Sequence, residues 1–371
     1  MSDASPPARR PRRSRGGVTL HDVARLAGVA PITASRAINT PSQVSPEVRA
    51  RIVDAIAQSG YVPNRLASGL ASTRSGLVAA VVPTITGPVF LPTVQALTES
   101  LAEHGFQLML GQAGYDGSRE DALLEAIIAR RPDGIVLTGI MHSTTGRKRL
   151  AASGIPVVET WDLTTTPIDM LVGFSHTDVG RAVADFLIAR GRRHLAVISG
   201  DDERAARRTG AFIATARAHG LHDVPVITLP SPTTLRAGRE AFAALAQQAK
   251  IGAASAPIAS PLRRKGAKAA SQPHAFSDEV DAVFCSSDLL AMGVLIEAQT
   301  LGYAVPEQLA VIGFGDMAFA ADTQPALTSV HINASAIGQQ AARFIVERVA
   351  GHPVEQRTVD IGFSISERAT T

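Results

Sequence analysis

Cysteine is almost missing from this sequence: Cys285 is the single one in 371 residues. A lone thiol excludes an internal disulfide and fits a reducing, cytoplasmic compartment. Long apolar runs are missing as well. Stretches such as Leu77 to Val82 fall far short of the roughly 20 residues a bilayer span needs, so no membrane partner is expected. The basic amino terminus has no apolar stretch behind it, and a secretory signal is not expected. Catalytic patterns are absent too. No Ser-His-Asp or Cys-His arrangement is suggested, and Cys285 sits inside an apolar strand-like run. His219 and His222 stand three apart without the cysteines or carboxylates that would complete a metal site. The run Gly313 to Asp316 reads GFGD, not GxGxxG, and does not open a helix after the first strand, so a dinucleotide site is weak. Asp201 and Asp202 read as a solvated turn. The expectation is a protein that is not an enzyme, with no catalytic residue, metal or cofactor.

Lysine is absent from the first 75 residues, yet that segment is the basic part of the chain. It holds 11 arginines against the four acids Asp3, Asp22, Glu47 and Asp54, a local charge of +7. The whole chain is only +3, so the remainder is −4. A basic end on an acidic body points to a polyanion partner at that end. At this length, with 45% apolar residues, two or three domains with a sizeable core are expected.

The stretch Val18 to Asn39, VTLHDVARLAGVAPITASRAIN, reads as two short helices joined by a tight turn. Thr19 is placed to cap the first. Val23, Ala24, Ala27 and Val29 can share an interior, and Gly28 accepts the positive φ of a sharp turn. Pro31 opens the second helix where its missing N–H costs nothing. Ala34 and Ile38 are expected to point inward, leaving Pro31, Ile32, Thr33, Ser35 and Arg36 outside. A third amphipathic helix starts at Ser45-Pro46, with Val48, Ile52, Ala55 and Ile56 on one face and Gly60 as its stop. Three such helices can close a small core and form a helix-turn-helix whose second helix enters the major groove. The plainer alternative is a two-helix corner of an α/β protein.

These segments carry a resemblance. VTLHDVARLAGVA, SRAIN, VSPEVR and GYVPNRLASGL, in that order, resemble the lac-repressor (LacI) family of bacterial regulators. The likeness extends over nearly the whole chain and is greatest to gluconate-operon repressors, through MLGQAGYD, IPVVETWD, LVGFSHTDVGRA and the carboxyl-terminal DIGFSIS. It implies that Pro31, Ile32 and Arg36 read bases, Arg36 being suited to lie bidentate on a guanine edge. Thr33 and Ser35 would hold phosphates, and Thr19, Asn64 and Arg65 complete the expected DNA-binding set. Family members often carry polar residues where this chain has Pro31 and Ile32. The segment NRLASGLA, 64–71, would be a hinge helix ordering on operator DNA, with Leu70 as a minor-groove wedge. Its alternative is a plain linker with Leu70 docked on the body.

In chain order, residues 1–17 read as a disordered basic arm, 18–63 as the three-helix head and 64–75 as hinge helix and linker. From 76 to 371 strands alternate with helices, the signature of an α/β fold with parallel sheets. Candidate strands are Leu77–Val82, Gln107–Leu110, Gly134–Thr138, Pro156–Glu159, Leu171–Phe174, Leu195–Ser199, Pro225–Leu229, Ala282–Cys285 and Ala310–Phe314. The resemblance implies two doubly wound lobes of periplasmic-binding-protein type crossed three times, near 175, 330 and 353. The first lobe would comprise 76–175 and 331–352, including helix Ala334–Ala350, and the second 176–330 and 353–371, including the final strand. The Ala, Ser, Pro, Lys and Gly-rich stretch 250–277 reads as a disordered insertion; a second DNA contact through Arg263, Arg264, Lys265 and Lys268 is the alternative.

Ligands of such folds sit at the carboxyl ends of strands. Phe90, Trp161, Asp162, Arg207, Asp288 and Asp316 lie at or near predicted strand ends, and the resemblance places the family's effector contacts there. Carboxylates accept hydroxyl protons, an aromatic face covers a sugar ring, and a cation holds an acid group. Alternatives are a helix N-cap for Asp288, ordinary core for Trp161 and a surface salt bridge for Arg207. The family aspartate usually follows its G-[FY] pair directly, whereas here Gly315 intervenes before Asp316. The resulting expectation is a cytoplasmic, nucleoid-associated homodimer that binds double-stranded operator DNA and represses a sugar-acid catabolic operon. A small sugar or sugar-acid effector would change its operator affinity. A tetramer is left open, although no heptad run is visible at the carboxyl end. The competing readings are a two-lobed sugar-binding protein, or a sugar-metabolising enzyme with an added helical head.

Overall fold

The structure, a computed structural model, describes residues 18–62, 74–114, 117–141, 143–248 and 280–371. The basic arm, the hinge with Asn64, Arg65 and Leu70, and the 250–277 insertion fall outside the described residues. The chain divides into two compact units, one up to Ser75 and one from Gly76 onward.

The first unit holds helices α1 (Leu20–Ala27), α2 (Pro31–Asn39) and α3 (Pro46–Ser59). Thr19 and Asp22 form a reciprocal capping box at the start of α1, a device worth about 1 kcal/mol. Gly28 ends α1 at φ 63°, and Arg51 of α3 donates to the Ala27 carbonyl and, at 3.2 Å, to that of Gly28. Val23, Ala27, Ala37, Ile52 and Ala55 form the core, with Val29, Val44, Val48, Ile56 and Tyr61 packed against it. Ala37 joins Ala34 as the buried pair on α2, while Ile38 is only half-buried. The small alanines at 34 and 37 let α2 approach its neighbours closely, so the bulkier Ile38 is pushed to the rim.

Among its described residues the second unit contains two six-stranded sheets. The strands of the first are β1 (Leu77–Val82), β2 (Gln107–Gln112), β3 (Gly134–Thr138), β4 (Val157–Thr160), β5 (Met170–Gly173) and β11 (Thr358–Asp360), in the order β11-β5-β4-β3-β1-β2 and all parallel. Helices α4 (Leu91–Glu103), α5 (Gly117–Ile128) and α6 (Thr144–Ser153) connect them. The second sheet takes β6 (Leu195–Gly200), β7 (Val226–Leu229), β8 (Ala282–Cys285), β9 (Ala310–Phe314), β10 (Thr328–His331) and β12 (Ser364–Ser366), in the order β12-β10-β9-β8-β6-β7. Only β12 is antiparallel there, against β10. Its helices are α7 (His176–Ala189), α8 (Glu203–Ala218), α9 (Leu235–Gln248) and α10 (Asp288–Leu301), while α11 (Ala334–Ala350) returns to pack on α4. Central strands such as β1, LVAAVV, are buried on both faces and read as continuous apolar runs. The edge strands β2 and β7 are half-exposed, and β7 alternates.

The third crossing lies later than 353. Thr358–Asp360 pairs in parallel with Leu171–Gly173, so the chain stays in the first lobe to Asp360 and joins the second sheet only at Ser364. Residues 353–360 thus belong to the first lobe rather than the second, because the open edge of β5 accepts another strand before the chain departs. One apolar cluster continues through both lobes, from Val78, Val136 and Val158 to Val197, Phe284 and Ile312. Helices α7 and α8 pack so tightly that a Cβ on Gly180 would stand 2.1 Å from the Arg208 carbonyl oxygen. Only glycine fits at this crossing.

Candidate functional site

In the first unit, Pro31, Ile32 and Arg36 are exposed on α2, with Ile32 at 58%. Among the described residues no acid pairs with Arg36. Thr33 and Ser35 are half-buried, and Ser35 accepts a hydrogen bond from Asn39 Nδ2 at 3.3 Å. The hydroxyl of Thr19 is engaged in its cap, donating to Asp22 Oδ2 at 2.7 Å.

In the second unit, the carboxyl ends of both sheets' strands face a cleft between the lobes, with two adjoining chambers. The inner one, about 80 Å³, is lined by Phe90, Trp161, His176, Phe314, Arg204 and Arg208, with hydroxyls of Thr84, Ser231 and Ser286. The outer one, about 370 Å³, is lined by Thr138, Glu120, Ser143, Asp162, Asp201, Asp202 and again Arg204. Burial, helped by the nearby Asp121, pushes the Glu120 carboxyl up.

The aromatic floor is a chain of edge-on contacts: Phe90 to Trp161 at 5.0 Å, Trp161 to Phe174 at 5.9 Å and Phe174 to His176 at 4.6 Å between ring centroids. Trp161 sits at φ 67°, a region bulky residues rarely adopt and one that gathers at functional sites. The turn is folded tightly over β5, since a Cβ on Gly173 would stand 2.0 Å from the Asp162 carbonyl oxygen. Its indole N–H donates to Thr93 Oγ1 at 3.0 Å, and Thr93 donates to the Ala334 carbonyl at 2.8 Å. Trp161 is therefore core and cleft wall at once.

Arg204 and Arg208 are the cations of the inner chamber. One helical turn apart, they share a face of α8. The Arg208 guanidinium lies 3.9 Å from the Phe314 ring centroid. It donates to His176 Nδ1 at 2.9 Å and to the Ser286 carbonyl at 3.2 Å, while its Nε has no partner among the described residues. Burial lowers its pKa to about 10, still cationic at neutral pH. Arg204 Nε approaches Asp202 Oδ1 at 3.6 Å, and its Nη1 is likewise buried without a partner.

Three of the expected effector residues are placed otherwise. Arg207, one residue out of phase, is spent on Asp162 at 2.7 Å and Glu203 at 2.6 Å, and it lines a separate crevice with Arg147 and Thr164–Thr166. Asp288 is wholly buried and lines neither chamber. It accepts from Ser329 Oγ at 2.6 Å and from the Met317 N–H at 2.7 Å, and burial raises its pKa to about 6. It is not the N-cap of α10 either; Ser287 is. Asp316 turns toward the carboxyl-terminal strand, meeting Arg368 at 2.7 Å, His331 at 3.0 Å and Ser366 at 2.9 Å. Burial pushes its pKa up, but the Arg368 and Ser366 hydrogen bonds outweigh that and hold it below the ordinary value. Phe90, Trp161 and Asp162 do line the cleft. Sequence reasoning missed Arg204, Arg208 and His176; the available signal was the i, i+4 arginine pair after β6.

A helix-turn-helix unit followed by a two-lobed domain with a cationic, aromatic cleft is the architecture of a ligand-responsive DNA-binding regulator. Comparison with known proteins agrees. Residues 19–64 match the model for bacterial regulatory proteins of the lacI family. Residues 75–249 match that for periplasmic binding proteins and the sugar binding domain of the LacI family, and 184–371 a periplasmic binding protein-like domain. The chain is 36% identical over 361 residues to the HTH-type transcriptional regulator GntR of Pseudomonas aeruginosa, covering 97% of both chains. A LacI-family transcriptional regulator from Silicibacter pomeroyi superposes with a TM-score of 0.84 at 27% identity, over 95% of this chain and 99% of that one. The lac repressor dimer bound to operator and the anti-inducer ONPF shares the fold, with a TM-score of 0.74 at 19% identity over 96% and 99% of the two chains. The protein belongs to the LacI family of transcriptional regulators.

Proposed function

We propose that this regulator represses a sugar-acid, gluconate-like catabolic operon as a cytoplasmic, nucleoid-associated homodimer on a pseudo-palindromic operator. One observation carries the effector class: Arg204 and Arg208 each keep an N–H without a partner on an aromatic-walled cleft between the lobes. A carboxylate supplies acceptors to both, and the oxygen-rich outer chamber suits a chain of hydroxyls. On the DNA side, the exposed Pro31, Ile32 and Arg36 read base edges, Thr19, Thr33 and Ser35 steady the backbone, and Asn64, Arg65 and Leu70 contribute from the hinge. The lac repressor, crystallised as a dimer on operator, supports the same assembly here.

Effector binding changes operator affinity by a coupling energy of about 1–3 kcal/mol, and operator changes effector affinity by the same factor. The test is fluorescence anisotropy on a duplex selected from random sequence, at fixed salt, titrated with D-gluconate or with the uncharged polyol D-glucitol. Gluconate should shift the operator Kd about tenfold and glucitol should not. An operator Kd unmoved by saturating gluconate refutes the effector class. Failure to bind any duplex at low ionic strength refutes the DNA reading.

A further inference from the structure

The two neighbouring arginines of α8 are held in opposite ways. Arg207 is gripped by two carboxylates, Asp162 and Glu203. Its charge is neutralised within the protein. Arg208, 4% exposed, is held by two uncharged acceptors, the His176 imidazole and the Ser286 carbonyl. Its hydrogen-bonding geometry is fixed, yet among the described residues no carboxylate is in contact with it, and Asp202 and Asp162 act on its charge only through space. The carboxylate that lines the inner chamber, Asp202, contacts Arg204 and caps α8 through the Ala205 N–H at 3.2 Å.

His176 can play this part in only one tautomer. Its Nε2 lies 2.9 Å from the Trp161 carbonyl oxygen. A carbonyl only accepts, so Nε2 carries the hydrogen. Nδ1 is then a bare lone pair, the form needed to accept from Arg208 Nη1. The ring is 2% exposed and packed edge-on against Phe174, and a flip would put carbon where both hydrogen bonds need nitrogen. Burial, together with the Arg208 charge, holds its pKa well below the usual histidine value, and the ring stays neutral.

We propose that His176 is a positioning residue that presents a neutral acceptor to Arg208, so that the guanidinium is aimed and fully charged for the effector's acid group. This rests on the sugar-acid reading of the same cleft. The contact also spans the lobes: Trp161 follows β4 in the first, and Arg208 belongs to the second. An effector caught by Arg208 is thereby tied to the peptide that ends β4. A carboxylate at 176 would grip Arg208 more strongly but would cancel the charge the ligand needs.

The experiment uses the full chain. Glutamine can reproduce both bonds, its amide N–H toward Trp161 and its oxygen toward Arg208; phenylalanine fills the space with neither. By calorimetric titration with D-gluconate, His176→Gln should stay within about threefold of wild type, and His176→Phe should lose at least tenfold. His176→Glu should also bind weakly, although its grip on Arg208 is stronger. Melting temperatures serve as the control for folding. Gluconate affinity unchanged in a folded His176→Phe protein overturns the proposal, as does His176→Glu binding as tightly as wild type. Imidazole ¹⁵N shifts of the wild type, assigned by difference from His176→Gln, read the tautomer without any ligand. A proton on Nδ1 overturns the proposal. Wild type that ignores gluconate while showing the Nε2–H tautomer strikes down the gluconate reading and leaves the hold on Arg208 standing.

Discussion

Asp288 shows what a buried carboxylate does when, among the described residues, no cation touches it. Two donors, Ser329 Oγ and the Met317 N–H, hold it, yet burial outweighs them and raises its pKa from 3.8 to about 6. The native carboxyl binds its proton more tightly than the unfolded one. Its stabilising contribution is therefore fully present below about pH 4 and is lost as pH rises through about 6. Urea unfolding of wild type and Asp288→Asn at pH 7.5 and pH 5 should show the difference shifting toward wild type by about 1 kcal/mol at the lower pH. A difference that does not move would mean the carboxyl titrates normally. The same residue marks a limit of reading by sequence. A Ser-Ser-Asp run after an apolar strand announces a helix start and a strand-end acid, but not which of the three caps the helix and which turns inward. Arg207 and Arg208 pose the same problem. About 100° of helix rotation separates a spent cation from an available one, and composition is blind to that angle.

At the scale of elements, chemistry depends on how closely helices approach. Gly180 lets α8 seat on α7 at Arg208 itself. Gly180→Ala should force the helices apart, cost about 1–3 kcal/mol and lower the melting temperature by several degrees. It should also weaken gluconate binding, because the displaced backbone carries Arg208. Thermal melts paired with titrations check both effects, and a lower melting temperature with intact affinity would mean the guanidinium tolerates the shift. Elements buried on both faces were legible in advance, as Leu77–Val82 and Ala310–Phe314 show with identical bounds. So were α1, α2 and α3, whose caps are written in Thr19, Pro31, Pro46 and the glycines at 28 and 60. The final strand expected in the second lobe is found at Ser364–Ser366, but the short strand Thr358–Asp360 was not legible. It is polar and at most half-buried, so no apolar pattern betrays it, and only the open edge of β5 decides which lobe it joins. The third crossing was misplaced for that reason.

For the molecule as a whole, the body from Gly76 onward contains two sheets, each with an apolar cluster of its own on one face and a larger cluster common to both. The larger cluster takes in side chains from both, and the aromatic contacts of Phe90, Trp161, Phe174 and Phe314 bridge the crossing strands. Independent melting of either lobe would require tearing that shared seam and wetting rings now dry, a cost borne by whichever half stayed folded. Scanning calorimetry of the full chain should accordingly give this body a single endotherm. Two resolved heat-absorption peaks for it would mean the lobes are thermodynamic strangers joined only by their three strands of chain.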